Sequence, residues 1–270
     1  MKIVFLGGGN MAAALIGGLL ERGFAPAELV VVELGKERRE WLAQTYGVAV
    51  AADAAAVSGA DVIVLAVKPQ QMRDALAPLA AGGLGKTLVI SVAAGLRVAD
   101  LSRWLGGHAL VARAMPNTPA LIGAGVTGMY APPAVDTVGR ELAGRILAAV
   151  GSVVWVADEA RMDSVTAVSG SGPAYVFHFI EALEAAAVAR GFDSATARRL
   201  ALDTVLGAAK LAATSDDAPG LLREKVTSKG GTTAAALAVL GEGGFAGLID
   251  RAVAAAEARG RELGDELGDR

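Results

Sequence analysis

Residues 226–233 have the composition of a binding site for a small anion. Four hydroxyl side chains and two glycines occupy these eight positions, just before the helix-forming run at residues 234–237. The first N–H groups of a helix have no partner within it, so they and the hydroxyls can bind one anionic ligand together. Because serine and threonine are also favoured as simple helix caps, a cap with surplus hydroxyls is the structural alternative.

A glycine-rich turn near the start of the chain predicts a dinucleotide site. An apolar, strand-like run at residues 2–6 leads into Gly-Gly-Gly-Asn-Met-Ala at residues 7–12, which fits G-x-G-x-x-A and precedes an apolar helical pattern. Gly7 would permit the tight turn, Gly9 would let the backbone approach a pyrophosphate, and Ala12 would let helix and strand pack. A second strand-like run ends in Glu33, as the dinucleotide pattern requires.

The uncharged residues 3–20 also resemble a signal peptide or a short membrane span. The glycines and Asn10 interrupt that apolar run, and a nucleotide site accounts for each glycine. The chain has no cysteine, which is compatible with a reducing compartment. We therefore expect a cytoplasmic protein.

The composition excludes several classes of protein. With 53% hydrophobic and 20% charged residues the chain has much to bury, and its net charge of −3 gives no electrostatic case for nucleic acid or an anionic membrane. The absence of cysteine excludes thiolate nucleophiles and cysteine metal ligands. The two histidines, His108 and His178, cannot form a three-histidine zinc site, so we predict no metal. We expect His108 in a loop and His178 packed within a helix.

The order of strand and helix patterns predicts two domains. Up to about residue 156, alanine-rich helical segments alternate with apolar runs at residues 29–33, 61–67, 87–92 and 109–114. That alternation predicts a doubly wound, mostly parallel α/β sheet of the Rossmann type. Strand patterns then stop, and helices are predicted near residues 159–168, 173–190, 194–214, 218–226 and 244–264. We therefore predict a dinucleotide-binding domain over residues 1–157 and an all-α domain over residues 158–270.

Three further features of the sequence bear on function and assembly. Active chemistry in an open α/β sheet lies at the carboxyl ends of strands, where Lys68 could contact cofactor or substrate or could simply be solvated. Pro116 and Pro119 are expected to hold Asn117 in a rigid, extended loop, with an ordinary crossover turn as the alternative. In the second domain, the apolar helices predicted at residues 175–188 and 201–211 carry few charges, which predicts burial against another subunit.

Six motifs, in this order, resemble the pyrroline-5-carboxylate reductase family. They are GGGNMA, AVKPQ, SVAAG, RAMPNTP, SGSGPA and VTSKGGTT, beginning at residues 7, 66, 91, 113, 169 and 226, and they cover nearly the whole chain. The resemblance implies hydride transfer from C4 of NADPH or NADH to the C=N carbon of 1-pyrroline-5-carboxylate, giving L-proline. A cyclic imine is protonated easily, so such a site needs orientation and a hydrogen bond more than a strong acid.

The resemblance also implies roles for individual residues. Thr233 would meet the ring nitrogen, Ser228 and the N–H groups of Gly230, Gly231 and Thr232 would hold the carboxylate, and Asp216 matches an acidic position near the site. Lys68 joins Thr233 and Ser228 as a candidate catalytic residue. The cofactor would be bound by residues of the first domain, namely Gly7, Gly9, Asn10, Met11, Glu33, Ala66, Val67, Lys68, Pro69, Ala93 and Asn117.

The resemblance further implies an assembly. The helical domain would form an intertwined dimer, and dimers could build a larger ring. If helices interleave between subunits, Thr233 could face the cofactor of the partner chain.

The residues after the second strand depart from the family pattern. Many relatives have Asn-Arg or Ser-Arg there, whereas this chain has Glu33-Leu34. A carboxylate accepts hydrogen bonds from an unmodified ribose and repels a 2′-phosphate, although Lys36, Arg38 and Arg39 lie close enough in sequence to compensate. We predict that NADH is used at least as well as NADPH.

Two other functions fit the same plan less well. A β-hydroxyacid dehydrogenase or another imine reductase shares the architecture, but the hydroxyacid enzymes place a lysine in the glycine-rich motif corresponding to residues 169–174, which has none here. A non-catalytic nucleotide sensor could lose its substrate groups without losing its fold. The intact motif at residues 226–233 argues against a sensor.

Overall fold

The structure, a computed structural model, describes residues 1–269 as two compact units. One unit contains Met1–Ser171 together with the described residues from Ala255 onward, and the other is Gly172–Ala254. This division reflects which residues pack against one another, whereas the predicted domain boundary rests on the change from strand to helix patterns in the sequence. The predicted boundary between residues 157 and 158 therefore stays a prediction.

An eight-stranded sheet forms the centre of the first unit. In spatial order it reads β3-β2-β1-β4-β5-β6-β7-β8. The six strands from β3 to β6 in this order are parallel, β7 is antiparallel to β6, and β8 is parallel to β7. The strands are β1 (Ile3–Leu6), β2 (Leu29–Val32), β3 (Ala49–Ala51), β4 (Val62–Leu65), β5 (Leu88–Ser91), β6 (Val111–Met115), β7 (Gly125–Tyr130) and β8 (Gly151–Trp155). The predicted doubly wound, mostly parallel sheet is confirmed.

Helices cover both faces of this sheet. They are α1 (Asn10–Glu21), α2 (Lys36–Tyr46), α3 (Met72–Gly82), α4 (Val98–Trp104), α5 (Thr137–Leu147) and α6 (Arg161–Val165). In β1, Ile3 and Phe5 pack on the face covered by α1, while Val4 and Leu6 pack on the face covered by α3 and α4. Continuous apolar strands such as β1 and β4 are what a sheet buried on both faces requires. The chain order reverses between β1 and β4, so the crevice beyond their carboxyl ends is the expected ligand site.

The second unit is helical and has almost no core of its own. Its helices are α7 (Gly172–Val188), α8 (Ser194–Thr214), α9 (Pro219–Lys225), α10 (Thr232–Glu242) and the first part of α11 (Phe245–Gly268). Only Ala197 and Ala201 are buried in this unit, and large apolar side chains such as Phe177 and Leu206 are more than half exposed. Such helices need a further surface to pack against.

The helix predicted near residues 218–226 is observed as α9, and Pro219 begins it because proline fits the first turn of a helix, where its missing N–H costs nothing. Two other expectations for the helices need correction. The last helix extends to Gly268 instead of ending near residue 264. His178 is exposed instead of packed, and its Nδ1 lies 3.4 Å from Glu181 Oε2 on the same helix.

None of the helices within residues 1–269 is by itself long and apolar enough to cross a membrane. Taken together, α10 and α11 meet the length and composition criteria as a pair bent by 49°.

The close approach of Gly151 to the backbone of Gly125 in the neighbouring strand can be tested by substitution. Gly151 has φ +147°, and a β-carbon there would overlap the carbonyl oxygen of Gly125 at the start of β7. We expect Gly151→Ala to lower the free energy of unfolding by roughly 3 kcal/mol, from overpacking and backbone strain combined. Urea unfolding at equal protein concentration measures the loss.

Gly82→Ala is the matched control, because a β-carbon at Gly82 would meet no atom within 4 Å. Equal unfolding midpoints for the two variants would contradict the assignment of strain to Gly151.

Candidate active site

The glycine turn joins the ends of β1 and β4. Gly7 has φ +101°, and its N–H donates to the carbonyl oxygen of Val32 at 2.8 Å. A β-carbon on Gly7 would lie 2.8 Å from the carbonyl group of Ala66 and 2.9 Å from Val67. Only glycine can occupy this position without moving the end of β4.

The helix start after the turn is open to a ligand. Gly9 is the N-cap of α1 and no side chain caps it, and a β-carbon on Gly9 would meet no protein atom within 4 Å. The N–H groups of Asn10 and Met11 begin this helix. Uncapped N–H groups with free space beside them suit a phosphate.

The carboxylate of Glu33 is held in place by the backbone. Its Oε2 accepts a hydrogen bond from the N–H of Gly8 at 2.9 Å, and its Oε1 accepts one from the N–H of Gly35 at 2.8 Å. Each oxygen keeps a lone pair for another donor. The position and fixed orientation of this carboxylate suit the hydroxyl groups of a ribose.

The neighbouring basic residues already have partners. Arg38 donates from Nε to the carbonyl oxygen of Gly8 at 2.6 Å, and its guanidinium lies 4.2 Å from the ring centroid of Trp41. Arg39 donates to the carbonyl oxygens of Glu33 and Leu34. Within residues 1–269, the buried Nη2 of Arg38 has no hydrogen-bond partner. Most of the basic groups expected to bind a 2′-phosphate therefore hold the backbone instead.

The ends of β4 and β5 carry further predicted cofactor residues. The N–H of Ala66 donates to the carbonyl oxygen of Leu6 at 2.8 Å, and Val67 is half-buried. Lys68 is exposed and precedes a short 3-10 turn that begins at Pro69. After β5, the N–H of the buried Ala93 donates to Ser91 Oγ at 3.3 Å. The structure thus places these residues at neighbouring strand ends, and their contacts with a cofactor stay predictions.

Asn117 anchors the loop after β6. Its Oδ1 accepts from the N–H of Val126 at 3.0 Å and its Nδ2 donates to the carbonyl oxygen of Ser169 at 3.1 Å. The backbone is extended at Asn117, but Thr118–Ile122 forms a 3-10 helix with Pro119 in its first turn. The expectation of an extended loop is therefore wrong beyond Asn117.

The motif at residues 226–233 forms a helix start without a side-chain cap. Gly231 is the N-cap of α10, and its N–H donates to the carbonyl oxygen of Ser228 at 3.0 Å. A β-carbon on Gly231 would collide with Ser228 Oγ, and Gly230 has φ +71°. Within residues 1–269, the hydroxyls of Ser228, Thr232 and Thr233 make no hydrogen bond. The alternative of a cap with surplus hydroxyls is wrong.

Asp216 and its neighbour play different parts in the loop between α8 and α9. Asp216 is exposed. Asp217 forms an ion pair with Lys225, and the backbone N–H of Asp217 donates to Ser215 Oγ at 3.1 Å. Asp217 was missed by sequence reasoning, because nothing in two adjacent aspartates shows which one turns toward a cation.

Sequence reasoning also missed a partly buried ion pair made by the middle residue of β6. Arg113 is 5% exposed and its Nη1 lies 2.9 Å from Glu159 Oε1, which also accepts the N–H of Val98. Burial raises the pKa of the nearby Asp163 carboxyl above its usual value, while Arg113 and Arg97 oppose that rise. An arginine within an apolar strand was the available signal, since a buried charge requires a partner.

These features define a class of protein, the dinucleotide-dependent oxidoreductases. A family model described as NADP oxidoreductase coenzyme F420-dependent matches residues 2–95. A second one, pyrroline-5-carboxylate reductase dimerisation, matches residues 159–263. The chain is 45% identical to pyrroline-5-carboxylate reductase of Pseudomonas aeruginosa over 99% of this chain and 98% of that protein. It belongs to the pyrroline-5-carboxylate reductase family.

Solved structures agree with this assignment. A pyrroline-5-carboxylate reductase from Coxiella burnetii superimposes with a TM-score of 0.93 and 40% identity over 97% of this chain and 98% of that one. The Plasmodium falciparum pyrroline carboxylate reductase, solved with NADP bound, gives 0.85 and 28% over 98% of each chain. The predicted family, the Rossmann-like and helical dimerisation architecture and an NAD(P)H-dependent oxidoreductase are thereby confirmed, and the helical part serves self-association.

Substitutions at two glycines of the turn should separate an effect on stability from an effect on cofactor binding. We expect Gly9→Ala to leave thermal unfolding unchanged and to weaken NADH binding roughly tenfold, about 1.4 kcal/mol, because the new methyl group enters the space left for the pyrophosphate. Gly7→Ala should instead cost roughly 1–3 kcal/mol of stability, since its backbone is strained and its β-carbon lacks room.

Thermal unfolding and a fluorescence titration with NADH measure the two effects. If Gly9→Ala bound NADH as tightly as the unaltered protein, the pyrophosphate would not lie at this helix start.

Proposed function

We propose that the chain transfers hydride from C4 of the reduced nicotinamide to the C=N carbon of 1-pyrroline-5-carboxylate, giving L-proline, the last step of proline biosynthesis. The hydride adds to the carbon of the protonated C=N bond, whose π electrons move to the nitrogen, so a C–N single bond remains. The nitrogen stays in the ring as a secondary amine carrying the proton of the imine, and the reduced nicotinamide is oxidised to NAD⁺ or NADP⁺. The observation that carries this proposal is the uncapped start of α10, where the hydroxyls of Ser228, Thr232 and Thr233 make no hydrogen bond with any described residue. Family membership over nearly the whole chain supports the choice of substrate.

The start of α10 would hold the substrate. The N–H groups of Gly230 and Thr232, with the hydroxyl of Ser228, would bind the carboxylate, because a helix N-terminus favours an anion. The N–H of Gly231, expected to join them, donates instead to the carbonyl oxygen of Ser228 at 3.0 Å. The hydroxyl of Thr233 would meet the ring nitrogen, and Asp216 would lie near the site. A substrate fixed at both its carboxylate and its nitrogen presents the C=N carbon in one orientation, which favours hydride transfer.

The first unit would hold the cofactor. The pyrophosphate would lie at the start of α1, on Gly7, Gly9, Asn10 and Met11, and Glu33 would bind the ribose. The nicotinamide half would lie at the ends of β4, β5 and β6, near Ala66, Val67, Lys68, Pro69, Ala93 and Asn117. The openness of the space beside Gly9 and the exposure of Lys68 support this placement.

The assembly is part of the proposal. The near absence of buried residues in the second unit supports an intertwined dimer through α7 and α8, and dimers would build a larger ring. Thr233 would act on the cofactor of the partner chain. We also propose a cytoplasmic location, which the cysteine-free composition supports.

Thr233→Ala tests the hydrogen bond to the substrate nitrogen. We expect kcat/KM for 1-pyrroline-5-carboxylate to fall by an amount that corresponds to a rise of about 1–3 kcal/mol in activation free energy, with the cofactor KM unchanged. This is the contribution of one hydrogen bond to a charged group. Oxidation of NADH or NADPH measures the rate. Thr214→Ala is the control, because its hydroxyl donates only to its own helix, at the carbonyl oxygens of Lys210 and Leu211.

An unchanged rate in Thr233→Ala would mean that another group serves the nitrogen. An unaltered chain that fails to oxidise either cofactor with this substrate would contradict the reaction itself.

The choice between NADH and NADPH rests on Glu33 and Leu34. The fixed carboxylate of Glu33 would repel a 2′-phosphate, and Leu34, 84% exposed, supplies no charge to bind one. The nearby guanidinium groups of Arg38 and Arg39 are engaged with backbone carbonyl groups. We therefore propose that NADH is used at least as well as NADPH.

Replacing both residues tests this preference. We expect Glu33→Asn with Leu34→Arg to shift the ratio of kcat/KM values toward NADPH by on the order of tenfold, about 1.4 kcal/mol, by removing a repulsion and adding a phosphate partner. Steady-state kinetics with both cofactors give the ratio, and Glu37→Asn, an exposed position of α2, serves as control. A strong preference of the unaltered chain for NADPH would contradict the proposal.

A further inference from the structure

The last turns of α11 lie directly against the loop that follows β5. We call residues 263–268 the brace, and the loop is Ala93-Ala94-Gly95. Gly95 has φ +80°, and a β-carbon there would lie 3.4 Å from Leu267 Cδ1 and 3.7 Å from the backbone nitrogen of Gly264. Brace and loop both belong to the first unit.

Small residues allow this close approach. A β-carbon on Gly264 would lie 3.0 Å from the carbonyl oxygen of Gly95 and 3.4 Å from Arg97 Nη2. One turn farther along, a β-carbon on Gly268 would lie 2.8 Å from Asp100 Oδ2. One turn earlier, the same test at Gly260 finds no atom closer than 3.8 Å. The tight contact is therefore confined to the brace.

Side chains fasten the brace in this position. Leu267 is 7% exposed and packs in the same apolar cluster as Ala93, Leu96 and Leu101. Arg97 Nη2 lies 2.6 Å from Asp265 Oδ1. Arg103 Nη2 donates to the carbonyl oxygen of Gly268 at 2.7 Å, which satisfies a carbonyl group at the end of the helix.

The loop depends on this support. On its strand side, the N–H of Val92 donates to the carbonyl oxygen of Leu65 at 3.1 Å and the N–H of Ala93 donates to Ser91 Oγ. On its other side, Gly95 meets the brace through packing. A loop held from both sides keeps its backbone in one place, which precise binding of a ligand requires.

We propose that Gly264 and Leu267 are positioning residues for the cofactor, acting through the loop Ala93-Ala94-Gly95. They touch neither cofactor nor substrate themselves. This inference rests on the proposed function, which places the nicotinamide half of the cofactor near Ala93. It extends the cofactor site to the C-terminal end of the chain, where no binding motif occurs.

A pair of glycine substitutions on one helix tests the brace. Gly264→Ala adds a methyl group 3.0 Å from the Gly95 carbonyl oxygen, which must shift by a few tenths of an ångström, whereas Gly260→Ala adds the same group in ordinary contact. A displaced loop fits the cofactor less well, so we expect Gly264→Ala to raise the Kd and KM for NADH roughly three- to tenfold. We also expect kcat to fall, because a misplacement of about 1 Å costs on the order of 100-fold in rate. Gly260→Ala should leave all three unchanged.

The measurements are a fluorescence titration with NADH, steady-state kinetics and thermal unfolding of the full-length protein. A positioning role predicts that the cofactor KM rises while the KM for 1-pyrroline-5-carboxylate stays constant. A merely structural role would lower the melting temperature and leave both constants of the folded enzyme unchanged, which would overturn the proposal. Equal effects of Gly264→Ala and Gly260→Ala would overturn it as well.

Leu267→Ala provides the second test if Gly264→Ala does not fold. It removes packing beneath the loop without adding an atom, and we expect the same rise in the Kd for NADH. An unchanged Kd in folded Leu267→Ala would overturn the proposal. Failure of the proposed function is distinguishable, because the unaltered protein would then not oxidise NADH with the substrate at all.

Discussion

The close approach of Gly7 to the carbonyl group of Ala66 is the constraint on which the arrangement of the strand ends around the glycine turn depends. The strand order reverses between β1 and β4, and a crevice forms there only if the backbone leaves β1 in a tight turn. Gly7 makes that turn with a positive φ, and a β-carbon on it would lie only 2.8 Å from the carbonyl group of Ala66. Because there is no room for a side chain here, the positions of the turn, the start of α1 and the end of β4 depend on one another.

The charged residues around the turn follow from the same constraint. Gly8 is held at its N–H by Glu33 and at its carbonyl group by Arg38, so two opposite charges fix the peptide units on either side of one residue. These bonds fix the turn before any ligand arrives, which lowers the entropy lost on binding. They also decide the local electrostatics, because two N–H groups fix the Glu33 carboxylate while Arg38 and Arg39 donate to backbone carbonyl groups. Among the described residues the buried Nη2 of Arg38 has no partner.

The second unit is not stabilised by a core of its own. Its helices keep their large apolar side chains on the surface of the single chain, and only two alanines are buried. The energy that stabilises such a unit must come from another copy, which agrees with its match to a dimerisation family. The motif at residues 226–233, which leads into α10, thus belongs to a part of the molecule whose stability depends on association.

The sequence by itself determined the local features of this protein, because each rests on a short-range pattern. The glycine turn, the doubly wound alternation, the helical second half and the motif at residues 226–233 could all be predicted. Tertiary structure alone decided which partner each polar group takes, since partners distant in sequence leave no local signal. Glu33 with Gly8, Arg113 with Glu159, and Gly95 with Gly264 are such pairs. The free hydroxyls of Ser228 and Thr233 were likewise decided by the fold, because a cap and an open binding site have the same composition and differ only in which atoms meet.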